Sequence, residues 1–170
     1  MRKINAAILA ISAVFCMVGA PANAETDYSP DRILKSVELD DLKAVVASFN
    51  HKVIMAEADG EPSITAKSDS GLIYSLSGSA CKEGERQTCK GVIMQVRYGM
   101  PDQASYRTVA TANMKHAAIS SWIDMKSETI GFTRYVVLNN GVTMANLREN
   151  VNVLMALTPS ALKWVLGKKE

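Results

Sequence analysis

Hydrophobic positions recur along this chain with two periods, and the changes between them divide it into elements. Leu39, Leu42, Val45, Val46 and Phe49 fall on one helical face, at the three- and four-residue spacing of an amphipathic helix. Ser36 is placed to cap it, Glu38, Asp40 and Asp41 suit the positive end of its dipole, and Asn50 stands where a left-handed residue commonly ends a helix. Short apolar runs then alternate with turn residues, as strands do. Lys52 to Glu57 and Ser63 to Lys67 are two of them, separated by a turn through Asp59-Gly60-Glu61. Leu72 to Ser77 and Gly91 to Tyr98 follow the turn Ser68-Asp69-Ser70-Gly71. Connections this short join antiparallel strands and predict a meander. Helical spacing returns from Asp102 to His116, through Tyr106, Val109, Asn113 and His116. Ala118 to Met125 and Phe132 to Leu138 read as a second hairpin, ended by Asn139-Asn140-Gly141. The last helix carries Leu147, Val151 and Leu154 on one stripe. Thr158-Pro159, a cap residue before the proline favoured at a first helical position, predicts a break, with Ala161 to Leu166 as a separate or kinked turn.

The beginning of the chain fits neither period. Arg2 and Lys3 precede an apolar stretch from Ile4 to Ala20, Pro21 ends it, and Ala22-Asn23-Ala24 is a small-x-small cleavage site. Residues 1–24 therefore read as a signal peptide cut between Ala24 and Glu25. The apolar core is shorter than the about 20 residues of a bilayer span, and polar sequence follows at once, so no stable membrane anchor is expected after cleavage. Cys16 follows the bulky Val14-Phe15 and leaves with the signal rather than carrying lipid. The expectation is a periplasmic or secreted protein with a loosely held polar leader over 25–36 and a single domain over 37–167. Lys+Arg number 19 against 17 Asp+Glu. Losing Arg2 and Lys3 brings the two to parity, leaving no basic surplus to displace counterions from a nucleic acid.

Two of the three cysteines, Cys81 and Cys89, remain in the mature chain. An even count in an oxidising compartment reads as a disulfide. The polar, glycine-containing stretch Ser77 to Cys89 lies between two apolar runs, so the bond would clamp the neck of a hairpin loop. Closing a loop of about nine residues stabilises by roughly 2.6 kcal/mol in the chain-entropy description. The competing readings lack their signatures. A redox pair usually shows Cys-x-x-Cys at a helix start, and a zinc site needs about four clustered ligands, whereas His51 and His116 stand alone.

Catalytic chemistry is not visible. A nucleophile needs a base within reach, no Gly-x-Ser-x-Gly elbow occurs, and neither histidine has an acidic neighbour in sequence. His116 is the better candidate base, though a helix-end histidine beside the sheet is the plainer reading. Asp40-Asp41 serve a helix dipole, and Asp59-Gly60-Glu61 is a turn lacking the further oxygen ligands of a calcium loop. No phosphate loop or dinucleotide fingerprint appears, so no cofactor or metal is expected. Met94, Met125, Met144 and Met155 occupy periodic, core-like positions, with a Met-lined binding face as the alternative.

Several positions together carry a family likeness. Leu72-Ile73-Tyr74, the cysteines Cys81 and Cys89, the strand Val92 to Tyr98, Asn113, Ser121-Trp122-Ile123-Asp124 and Asn139-Asn140-Gly141-Val142 follow one another in order. In these the sequence resembles the YbjN family, often labelled bacterial sensory transduction regulators, in its exported two-cysteine type, over roughly residues 37 to 166. The resemblance implies an α+β fold, an antiparallel sheet of about six strands flanked by helices, similar to type III secretion chaperones. It also implies a partner protein bound on a sheet face. Trp122, Phe132 and Tyr135, with Arg97 and Tyr98 beside Gly99, are the candidate binding face. The expected function is a non-enzymatic domain that binds another envelope protein, or itself as a dimer, in a chaperone-like or regulatory capacity. The alternative is a small-ligand or envelope-component binder with a pocket between sheet and helix.

Overall fold

The computed structural model describes residues 27–57, 60–82 and 88–168. The signal-peptide expectation, the cleavage point between Ala24 and Glu25 included, lies outside them. In chain order the elements are β1 (Ile33–Leu34), α1 (Leu39–Ala47), β2 (Lys52–Glu57), β3 (Ser63–Lys67), β4 (Ile73–Lys82), β5 (Thr88–Gly99), α2 (Tyr106–Lys115), β6 (Ser120–Asp124), β7 (Thr129–Val137), β8 (Val142–Thr143) and α3 (Met144–Val165). Six strands form one antiparallel sheet in the order β2-β3-β4-β5-β7-β6, and β1 pairs with β8 separately. The protein is thus an α+β fold on a six-stranded antiparallel sheet.

The meander holds only as far as β5. Helix α2 then carries the chain past the growing edge, β6 forms the far border, and β7 returns to fill the gap between β6 and β5. Burial alternates along the strands and assigns the two faces. Ile64 and Ala66 of β3, Tyr74 and Leu76 of β4, Val92, Met94 and Val96 of β5, and Ile130, Phe132 and Val136 of β7 are all buried. The helices cover that face: α1 packs on β2 and β3, α3 on β5 and β7, and α2 on β6 and α3. Leu42, Val45 and Val46 of α1, Val109 and Ala112 of α2, and Leu147, Val151, Leu154, Ala161 and Val165 of α3 complete one core. Burying each large apolar side chain there stabilises by about 1.5–3 kcal/mol.

Local chemistry explains where the elements stop. Glu38, not Ser36, caps α1, through a capping box in which its side chain accepts from the Asp41 amide while Asp41 Oδ2 accepts from the Glu38 amide at 3.0 Å. Asn50, at φ +58°, takes the left-handed turn after that helix. Ser105 caps α2, accepting from the Thr108 amide at 3.2 Å. The expected break at Thr158-Pro159 does not occur, because α3 runs through Pro159. Thr158, fully buried, donates its hydroxyl to the Leu154 carbonyl at 2.7 Å, and Leu154, Ala161 and Val165 keep one stripe on the core across the proline. Packing of an amphipathic face outweighs the about 3 kcal/mol that proline costs inside a helix.

The described part of the leader is tied down rather than loose. Ile33 and Leu34 pair with Thr143 and Val142, the Met144 amide donates to the Arg32 carbonyl at 2.9 Å, and Val37 exchanges backbone hydrogen bonds with Cys89. Strands β4 and β5 also run further than their apolar residues indicate. Cys81 and Cys89 sit directly opposite each other inside the ladder, with their sulfurs at disulfide distance and their Cα atoms 3.8 Å apart. Cys89 is buried, and a Cβ on Gly78 would collide with its sulfur, so glycine is what lets the two strands seat the pair.

Candidate functional site

The second face of the sheet carries no helix among the described residues. It presents Thr65 of β3, Ser75 and Ser77 of β4, Ile93, Gln95 and Arg97 of β5, Thr133, Tyr135 and Val137 of β7, and Trp122 of β6, each half-buried or exposed. Two glycines shape it. A Cβ on Gly131 would overlap the six-membered ring of Trp122, and one on Gly91 would overlap the phenol of Tyr135. Both aromatic side chains therefore lie down across a neighbouring strand instead of standing off the sheet. Polar contacts fix the first of them. Trp122 Nε1 donates to Thr133 Oγ1 at 2.8 Å, Gln95 Nε2 donates to the same oxygen at 3.2 Å, and Gln95 Oε1 accepts from Arg97 Nε and Nη2. The Arg97 guanidinium lies 5.5 Å from the Trp122 ring centroid, within cation–π range. A shallow groove of about 350 Å³ runs beside this string, along Thr65, Ile73, Ser75, Ser77, Gln95 and Arg97.

Of the five expected binding residues, this face brings together Trp122, Tyr135 and Arg97. Phe132 and Tyr98 belong to the other side. Phe132 is fully buried under the helices, and Tyr98 packs against it edge-on with ring centroids 6.2 Å apart, its hydroxyl pKa raised by burial. Adjacent strand residues point to opposite faces, so Arg97 and Tyr98 cannot share one, and neither can Phe132 and Tyr135. The same parity would have supplied Gln95 and Thr133, which the sequence reading missed. Among the methionines, Met94 and Met144 are buried and Met155 is partly so, but Met125 lies exposed just after β6.

A second concavity of about 810 Å³ opens at the end of the sheet, between the β3–β4 turn and α3. Leu72, Tyr98, Met155 and Pro159 give it an apolar wall, and His51, Asp69 and Asn152 give polar atoms. His51 Nδ1 is 3.0 Å from the Tyr74 hydroxyl, and its ring stacks on Phe49, which in turn carries the Arg148 guanidinium at 4.1 Å. Burial and, more weakly, the Arg148 charge hold the His51 pKa below its ordinary value against the opposing pull of Asp69. The unfolded chain therefore takes up this proton first as pH falls. His51 should contribute stability in full above about pH 6.5 and lose it as pH drops from there towards its folded pKa. Melting temperatures of the native chain and of His51→Gln measured across that window should converge at its acid end, and parallel curves would refute the assignment.

In the larger concavity His51 is hydrogen-bonded to the Tyr74 hydroxyl, and Ser68 and Ser70 are hydrogen-bonded to each other. His116 caps the C-terminus of α2, and its Nε2 and the Ser121 hydroxyl are each buried without a hydrogen-bond partner among the described residues. Asn113 instead holds Ser121 by the backbone, accepting from its amide at 2.6 Å and donating to its carbonyl at 3.0 Å, which locks α2 to β6. Asp124 accepts from the Ser127 hydroxyl and two backbone amides, which lowers its pKa and closes the β6–β7 turn. Among the described residues there is no cluster of three metal-ligating side chains and no helix long and apolar enough to cross a membrane.

No protein-family model matches the chain, and no curated protein sequence does. Solved structures do. YbjN of E. coli superposes with a TM-score of 0.55 at 9% identity, over 77% of this chain and 90% of that one. An uncharacterized protein from Methanothermobacter thermautotrophicus gives 0.52 at 7% identity, over 77% of this chain and 98% of that one. A chain of the HopA1–SchA chaperone–effector complex reaches 0.47 at 12% identity, over 76% of this chain and 98% of that one, too distant to weigh. At identities this low, what is shared with the first two is the fold: this chain has a YbjN-like fold.

Proposed function

We propose that this chain is a non-enzymatic, exported protein-binding domain that takes a partner protein on the open face of its sheet, in a chaperone-like or regulatory capacity. The observation that carries the reading is that face. Its aromatic rings are laid flat over glycines, Trp122, Thr133, Gln95 and Arg97 are already hydrogen-bonded in a string, and none of the described helices covers it. Tyr135 and Val137 are 48% and 60% exposed there. Amphipathic aromatics with an arginine are the residues that anchor protein interfaces, and rigid ones lose little entropy on binding. A disulfide-distance cysteine pair and the leading apolar stretch support export, and the YbjN-like fold is in keeping with a regulatory capacity. The partner would be another envelope protein.

A photo-crosslinker placed at Val137, on the open face, and at Met114, exposed on α2, tests this in intact cells. The expected result is one dominant protein adduct from position 137, none from 114, and loss of the adduct in Trp122→Ala. Hot-spot truncations of this kind cost about 2 kcal/mol or more, roughly thirtyfold in affinity. Equal labelling from both positions, or none from either, would overturn the reading. Mass spectrometry of the same sample would give the mature terminus, expected at Glu25. The second reading, a small-ligand or envelope-component binder, rests on the 810 Å³ concavity beside His51, whose volume falls in the range of ligand sites.

A further inference from the structure

Among the described residues, one border of the sheet, β2, has no strand paired beyond it. All six residues of β2 are exposed, with Val53, Ile54 and Met55 at 41%, 51% and 51%. Helices pack against both borders, α1 on β2 and α2 on β6, but β6 has Ser121 buried whereas no residue of β2 is. An edge strand with unpaired backbone groups is a template for another strand, and proteins commonly blunt it with proline or with charges along its length. Strand β2 has no proline, and its charges stand only at its two ends, Lys52 and Glu57.

We propose that β2 pairs antiparallel with β2 of a second copy of this chain, about a two-fold axis between Ile54 and Met55, joining two sheets into one. The sequence Lys-Val-Ile-Met-Ala-Glu is complementary to itself in that register. Because the bulge at Ile54 leaves Lys52 and Glu57 on one face of the sheet and Val53 and Ala56 on the other, Lys52 faces Glu57 of the second copy at both ends, Val53 faces Ala56, and Ile54 and Met55 meet in the middle. Among the described residues neither Lys52 nor Glu57 has an ion-pair partner, and Lys52 stands opposite Lys67 of β3, a like-charge neighbour. Ile54 is the residue skipped where the β2–β3 register shifts between Val53 and Met55, so it has no partner on β3. A register slipped by two residues would set Lys52 against Met55 and forfeit both charge pairs, which singles out the register that pairs Lys52 with Glu57. An axis perpendicular to the sheet leaves both open faces on the same side, so the dimer would present them as one surface. The pairing stands independently of what that surface binds.

Sedimentation equilibrium of the purified chain over a concentration series, with charge reversals, tests this. A reversible dimer is expected. Each single reversal, Lys52→Glu or Glu57→Lys, replaces two attractive cross-strand pairs with two repulsive ones and should weaken it roughly tenfold or more. The double variant restores opposite charges and should return to within about threefold of the original affinity, a recovery that generic surface damage would not give. Lys52→Glu also places a carboxylate opposite Lys67, which favours the fold, and circular dichroism checks that each variant keeps it. A chain that stays monomeric up to about 1 mM, where association would be worth little, would overturn the proposal. So would a dimer indifferent to both single reversals, or one that the double variant fails to restore.

Discussion

Replacing Phe132 by alanine should lower the free energy of unfolding by about 3–5 kcal/mol, the cost of emptying an aromatic site in a close-packed core. Phe132 is completely buried at the middle of β7, with Val96 and Ser121 as its register partners on β5 and β6 and the Tyr98 ring against its edge. Rigid strands flank it, so the space cannot collapse, and the lost contacts are not replaced. Trp122→Ala makes the contrast. That ring lies on the open face with one side towards solvent, so its removal should cost about 1 kcal/mol or less in stability while weakening the proposed partner binding roughly thirtyfold or more. Urea unfolding of the two variants measures both, with an unchanged slope showing that the unfolded states are comparable. A Phe132→Ala loss below about 1 kcal/mol would mean that the helices do not seal this face.

Reducing the Cys81–Cys89 pair is the second change of large expected effect. The two residues are 8 apart in sequence, and reopening the loop they close should cost roughly 2.6 kcal/mol through the entropy regained by the unfolded chain. That is a large share of the about 5–15 kcal/mol that holds a typical domain folded. The loss should spread beyond the hairpin, because Cys89 also holds Val37 through two backbone hydrogen bonds of 2.8 and 2.9 Å. Loosening it releases the segment that leads into α1. Denaturation with and without reductant measures the effect, and identical curves would show that the thiols are not bonded.

Most of the secondary structure was legible because its signals are local. The stripe from Leu39 to Phe49 and the run Ser63 to Lys67 need nothing beyond their own periodicity, and β3 has those bounds. Misreadings came where tertiary partners decide. Strands β1 and β8, two residues each, carry no periodic signal and exist because they meet each other. Pro159 stays helical because the residues after it have a core to pack against. Strands β4 and β5 extend through a polar stretch because cross-strand partners and the paired cysteines supply what hydrophobicity does not. In the candidate site, aromatic identity pointed to Trp122 and Tyr135, but identity says nothing about face. Counting by twos along β5 and β7 would have removed Tyr98 and Phe132 and added Gln95 and Thr133. Gly91 and Gly131 were a further signal, since a glycine inside a strand marks a place where something lies close over the backbone.

The strand order sets the sequence in which this protein can assemble. The β2-β3-β4-β5 ribbon is joined by short turns and can zip locally, but β5 finds its second partner only after α2 and β6 have been made. Pairs such as Ile93 with Tyr135 close loops of several tens of residues, an entropy that must be spent before the contact returns anything. Until β7 slots into place, Val92, Met94 and Val96 belong to an unprotected border of the nascent sheet, and α3, which comes last in the chain, has no finished surface to cover. A newly made chain therefore passes through an interval in which its stickiest edge is bare, and the cysteine clamp at the other end of that hairpin, once closed, holds half the sheet in register while it waits.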